Sequence, residues 1–195
     1  MKYIKAYTYH ELSEEAQMHA VERERAIRLE MPFHWADEWH DSVKAFQQID
    51  GNFLELRSWD LDGNHSLIRG PQYSTERADL EGVRAWKYFE NTGLFDVSKD
   101  IAKYPLTGFC GDWDILEPLE KFRLSPGPLR TVEDVLFDCY YCWAKGLRKD
   151  YEAFLSDECI KEDLAYGLEY YFYRDGVNIP YLVGDDNDLV GDDND

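Results

Sequence analysis

Basic residues are scarce in this chain: 21 Lys and Arg stand against 40 Asp and Glu, a formal net charge of -19. That deficit argues against direct nucleic-acid binding, which needs clustered cations to meet phosphates. Long apolar runs are missing too, so no membrane span is expected, and the opening MKYIKAYTYHELSEE lacks the apolar middle of a signal peptide. Cysteines are few, at 110, 139, 142 and 159, which excludes a secreted disulfide scaffold and fits a reducing cytoplasm. Absent as well are a phosphate loop, a nucleophile elbow and a glycine-rich dinucleotide fingerprint. Aromatics, by contrast, are plentiful, with 6 Trp, 14 Tyr and 10 Phe in 195 residues. They carry enough burial to build a core in spite of the self-repulsion, so the chain reads as one folded acidic body, not a disordered one.

Local patterns predict the elements. Residues 2–9 alternate with the period of a strand. Ser13 with Glu14 and Glu15 opens a helix whose buried stripe is expected to be Ala16, Ala20, Ile27 and Met31, and Pro32 interrupts it. Ala36, Trp39, Val43 and Phe46 form the apolar face of a second helix over about 33–48. Asp62-Gly63 supplies the turn of a hairpin whose arms are residues 52–59 and 65–69. A helix is expected around 75–91, then a short helical piece over 112–122 interrupted at Pro118. Thr131 and Asp134 resemble a capping box opening the longest helix, to about Leu155. Ser156 caps a last helix to Leu168, and residues 170–174 read as a strand turning at Asp175-Gly176, with 177–179 as a possible return. Together these predict an α+β fold, a small antiparallel sheet packed by about five helices, in a single domain over residues 1–181.

Residues 182–195 differ in kind. Leu182-Val183-Gly184-Asp185-Asp186-Asn187-Asp188 recurs unchanged as residues 189–195. Such a tail has too little apolar surface to offset its chain entropy and is expected to be disordered. Removing its six carboxylates still leaves -13 on residues 1–181, so acidity belongs to the folded body as well.

Candidate chemistry is thin. Cys139 and Cys142 have the spacing of half a zinc site, yet lack a second ligand pair and sit inside a predicted helix, which favours packing. Asp60, Asp62 and Asn64 mimic the opening of a calcium loop, but Pro71 stands where its closing Glu belongs. The five histidines show no metal spacing. No metal, cofactor or catalytic residue is therefore expected, and the protein reads as a non-enzyme. The charge is the strongest signal, since -19 exceeds the roughly 2 to 8 units that keep a small domain soluble. Glu11, Glu14, Glu15, Asp112, Asp114, Glu117, Asp157, Glu158, Glu162, Asp163 and, in the tail, Asp185, Asp186 and Asp188 are the candidate partner contacts.

Ordered motifs add a resemblance. Glu11-Leu12-Ser13-Glu14-Glu15-Ala16, the Asp60-Leu61-Asp62-Gly63-Asn64 hairpin, the Thr107-Gly108-Phe109-Cys110 segment with Asp112, Ile115 and Leu116, and Ser156-Asp157-Glu158 followed by Asp175-Gly176 resemble those of small acidic proteins from bacteriophages and integrative elements. Some of these are loosely labelled antitoxins. The duplicated acidic tail departs from that pattern. The resemblance implies a mobile-element setting, in which small acidic proteins often inhibit host defences. The expected function is thus inhibition of a CRISPR or restriction effector by nucleic-acid mimicry at its basic groove. The alternative is an antitoxin that neutralises a toxin by direct binding.

Overall fold

The computed structural model describes residues 5–31, 36–49, 77–167 and 170–179, with four residue pairs between 54 and 73. Seven α-helices make up most of it: α1 (Glu14–Glu30), α2 (Ala36–Ile49), α3 (Val83–Asn91), α4 (Leu94–Ser98), α5 (Gly111–Leu124), α6 (Val132–Phe154) and α7 (Asp157–Tyr166). The architecture is helical, which overturns the α+β expectation. Strand among the described residues amounts to two two-residue pairings and isolated bridges, too little to form a sheet that the helices pack on. Residues 2–4 of the expected first strand lie outside the described residues; in 5–9 only Tyr7 bridges, before the chain turns into a short helical turn at Tyr9–Glu11. The expected late strand likewise contributes only Phe172, bridged to Tyr7 and Asn178. Alternation over 2–9 was misleading because side-chain period is shared by any extended segment, whereas a strand also needs a neighbour along its length. Ser58–Trp59 pairs with Ile68–Arg69 inside the expected hairpin arms, and Leu54–Glu55 pairs with Gln72–Tyr73, beyond the expected second arm. The hairpin's turn, residues 60–64, lies outside the described residues, as do the calcium-like set there and the whole of 182–195.

The chain forms two compact units, Met1–Pro32 with Ala153–Asp195, and Phe33–Glu152. In the first, α1 starts where Ser13 Oγ accepts the Ala16 amide at 3.3 Å, and α7 starts where Ser156 Oγ accepts the Cys159 amide at 3.2 Å. Their inner faces meet over Tyr9, Leu12, Ala16, Ala20, Val21, Ile160, Leu164 and Phe172. The predicted stripe of α1 is half right: Ile27 and Met31 are exposed, and Arg28 is buried instead. Tyr7 and Phe172 exchange both backbone hydrogen bonds at 2.9 Å, and the turn that follows holds Gly176 at φ +83°. A Cβ there would stand 2.1 Å from the Ala16 carbonyl oxygen, so only glycine lets this turn lie on α1.

In the second unit, α2 presents Trp39, Ser42, Val43 and Phe46, and α4 and α5 bring Leu94, Phe95, Ile115, Leu116, Leu119 and Phe122. Phe89, Phe95 and Phe122 form an aromatic cluster with ring centroids 5.7 to 6.5 Å apart. Pro118 does not break α5, which continues to Leu124, contrary to the expected interruption. α6 opens on the expected capping box: Thr131 Oγ1 accepts the Asp134 amide at 3.0 Å and the Asp134 carboxylate accepts the Thr131 amide at 2.9 Å. It buries Val135, Leu136, Cys139, Tyr140, Trp143 and Leu147, and the Trp143 indole donates to the Trp39 carbonyl at 2.8 Å. Among the described residues no helix is long and apolar enough to cross a membrane.

Candidate functional site

The candidate acidic contacts fall into three groups. Asp112 is fully buried and leaves the set of surface contacts. It accepts the amides of Leu106, Thr107 and Gly108 at 2.8 to 3.1 Å and the Thr107 hydroxyl at 2.8 Å, so its charge holds a loop. A second group is engaged locally. Glu11 accepts the Thr8 amide at 2.8 Å and hydroxyl at 3.0 Å, and these bonds hold its carboxyl below the usual range. Glu117 pairs with Lys121 at 2.9 Å, Asp157 with Arg25 and, at 3.6 Å, with Lys161, and Asp163 with Arg28 at 2.6 Å. The third group is open: Glu14 and Glu15 on the first turn of α1, and Glu158 and Glu162 on α7, are exposed and hold no cation among the described residues. Asp185, Asp186 and Asp188 lie outside the described residues.

Asp114 belongs to a different setting, a cleft of about 490 Å³ between α5 and α6. Glu117 shares its α5 wall, and Tyr141, Cys142, Lys145, Lys149 and Glu152 are on its α6 wall. Gly146 is what lets the walls approach. A Cβ on it would lie 2.7 Å from the Asp114 carboxyl and 2.5 Å from the Trp39 ring. This isolated glycine in a long helix was the sequence signal for the cleft, and it passed unread. Burial, then the neighbouring carboxylates Asp150 and Glu117, push the Asp114 carboxyl up to about 6. Burial first, then nearby carboxylates, also raises the Cys110 and Cys142 thiols, the opposite of what a nucleophilic thiolate requires. Among the described residues no group of three or more His, Cys, Asp or Glu could hold a metal ion.

No protein-family model, curated protein or solved structure matches this chain.

The Asp114 environment has a testable consequence for stability. Its folded-state value lies above the ordinary 3.8, so the folded chain holds this proton more tightly than the unfolded one. The contribution to stability is therefore whole below pH 3.8 and is lost as pH rises through about 6. Asp114→Asn is expected to stabilise at pH 7 by on the order of 1 kcal/mol, discounted for partial solvation, and to change nothing near pH 3.5. Urea unfolding of both proteins across that range checks this, and an equal gain at both ends of the range would refute it.

Proposed function

We propose that this protein is a non-catalytic acidic inhibitor of bacteriophage or mobile-element type, which occupies the basic nucleic-acid groove of a host defence effector. The supporting observation is the disposition of charge. Lys44, Lys99, Lys103, Lys121 and Lys161 each sit beside the acid one turn earlier on the chain, at 2.5 to 3.6 Å. These five cations are thereby spent on neighbours, while Glu14, Glu15, Glu158 and Glu162 are exposed and hold no cation among the described residues. Helices fix the spacing of those carboxylates, as a duplex fixes its phosphates, and a preordered array loses less entropy on binding than mobile side chains would. Such an array steers toward a basic groove and competes there with nucleic acid. The ordered sequence motifs, with their resemblance to acidic mobile-element proteins, support the setting.

Capture of the tagged chain from a nuclease-treated bacterial lysate carrying CRISPR and restriction systems tests the reading. A defence nuclease should be recovered, should be displaced by added DNA or RNA, and should lose about tenfold or more in affinity between 0.1 and 0.5 M salt. Replacing Glu14, Glu15, Glu158 and Glu162 by Gln should weaken capture with unchanged circular dichroism. Salt-insensitive recovery of a small toxin would overturn inhibition by mimicry in favour of the antitoxin alternative.

A further inference from the structure

The cleft between α5 and α6 is lined by charges that do not meet. Asp114 is half-buried on the α5 wall, yet among the described residues it accepts no hydrogen bond and forms no ion pair. Asp112, two positions earlier, collects four donors, as a carboxylate taken out of water ordinarily does. On the α6 wall Lys145 and Lys149 stand one turn apart, exposed and without a carboxylate partner among the described residues. Like charges at that spacing repel, so an anion between them would be held favourably. The negative end of α6 attracts cations, but it does nothing for the carboxyl opposite. Lys149 acts on Asp114 through its field alone. Of the other charged groups in the cleft, Glu117 is held by Lys121, Arg148 is already engaged, and Glu152 lies three positions beyond Lys149. An acceptor and a pair of cations therefore share one cleft without satisfying each other.

Their order along α6 says what could satisfy both. A Cβ on Gly146 would lie 2.7 Å from the Asp114 carboxyl, so that carboxyl stands beside position 146, between Tyr141 and Lys149. At about 1.5 Å per residue, the stretch from Tyr141 to Lys149 spans about 12 Å, comparable to a mononucleotide from base to phosphate. The volume of about 490 Å³ falls within the roughly 300 to 1,000 Å³ of small-ligand sites. We propose that the cleft binds a ribonucleotide, with its base against Tyr141, its ribose hydroxyls donating to Asp114 and its phosphate between Lys145 and Lys149. Tyr141 is 43% exposed and braced by Phe137, whose ring lies 15° from parallel with it. A ring so placed can stack any base, since each has a π-face. An ionised carboxylate only accepts, which suits the hydroxyls of ribose and not the phosphate. The acidity of the chain is no obstacle, because one phosphate needs a local pair of cations and not the continuous basic surface that a duplex requires. The inference goes beyond the proposed inhibition and is independent of it: it needs no basic groove, and either could fail alone.

Isothermal titration calorimetry of the full chain with AMP, dAMP, adenosine and inorganic phosphate provides the test. AMP is expected to bind once per chain, and dAMP about tenfold more weakly, because a site built to hydrogen-bond a hydroxyl rejects the analogue that lacks it. Adenosine and phosphate, which probe the two ends separately, should each bind at least about tenfold more weakly than AMP. Asp114→Asn, expected to fold at least as stably as wild type at neutral pH, should narrow the preference for AMP over dAMP to about threefold or less while changing dAMP affinity little. Lys145→Gln with Lys149→Gln should weaken AMP and dAMP alike, by about tenfold, and keep their ratio. Misfolding would not separate the two variants in this way. No saturable binding of AMP at millimolar concentration, equal affinity for AMP and dAMP, phosphate binding as tightly as AMP, or a ratio unmoved in Asp114→Asn would each overturn the proposal. A chain that captures its effector and ignores AMP would keep the proposed function and lose this site.

Discussion

Asp112→Ala is expected to cost the second unit about 3 kcal/mol or more, because each buried donor left without a partner costs about 1 to 3 kcal/mol. Three amides and one hydroxyl end on this carboxylate, and the side chain is fully buried. Thr107, which supplies two of the four donors, also meets Ser42 of α2 through its hydroxyl at 3.1 Å, so the loop is tied to α2 through the same group. Asp112→Asn can set its amide oxygen where the three backbone amides converge and its nitrogen against the Thr107 hydroxyl, which can accept, so it is expected to cost less than the alanine variant. Thermal unfolding should fall by about 10 °C for Asp112→Ala. A fall below about 2 °C would mean that the loop over 104–110 is held by other contacts.

Arg28 carries the second large effect, in the other unit. Its side chain is 5% exposed and reaches Glu24 at 3.1 Å, Asp163 at 2.6 Å and the Phe154 carbonyl at 2.7 Å, with the guanidinium over the Phe154 ring. Burial opposes its charge, but the bonds to Asp163, Cys159 and Glu24 outweigh that and hold its proton more firmly than usual. Removing one partner of a buried pair leaves the other uncompensated and costs about 3 to 5 kcal/mol. Arg28→Met keeps the aliphatic stem and isolates the loss of charge; the lower end of that range is expected, since Asp163 is half exposed and can find water. Adding Glu24→Leu should recover part of the loss, because Glu24 is the partner left most buried. Urea unfolding with hydrogen exchange in α1 and α7 reads both. A single variant as stable as wild type would show that the Ala16, Ala20, Ile160 and Leu164 packing suffices to hold the two helices.

What could be read from the sequence was what neighbours in the chain decide. Ser13, Ser156 and the Thr131 with Asp134 box start their helices through bonds between residues three apart, and α2 shows its face because Trp39, Val43 and Phe46 repeat at helical spacing. The excess of acid is a property of composition alone. The error over Pro118 has a similar local origin: proline is a breaker by rule, yet the packing of α5 holds the helix together. Asp112 was half legible, since its donors lie four to six residues before it, but nothing local reveals that the group is shut off from water.

The remaining features depend on residues far apart. Arg28 and Asp163 are separated by 135 positions and Trp143 and Trp39 by 104, so no window of sequence contains both partners. Which carboxylates face water, which are tied down, and why Asp114 is lifted to about 6 follow from the depth at which each sits and what charge lies across from it. Charge and helical periodicity are local sums, which the chain states by itself. Burial and pairing across the fold are properties of its surroundings, and only the tertiary structure sets them.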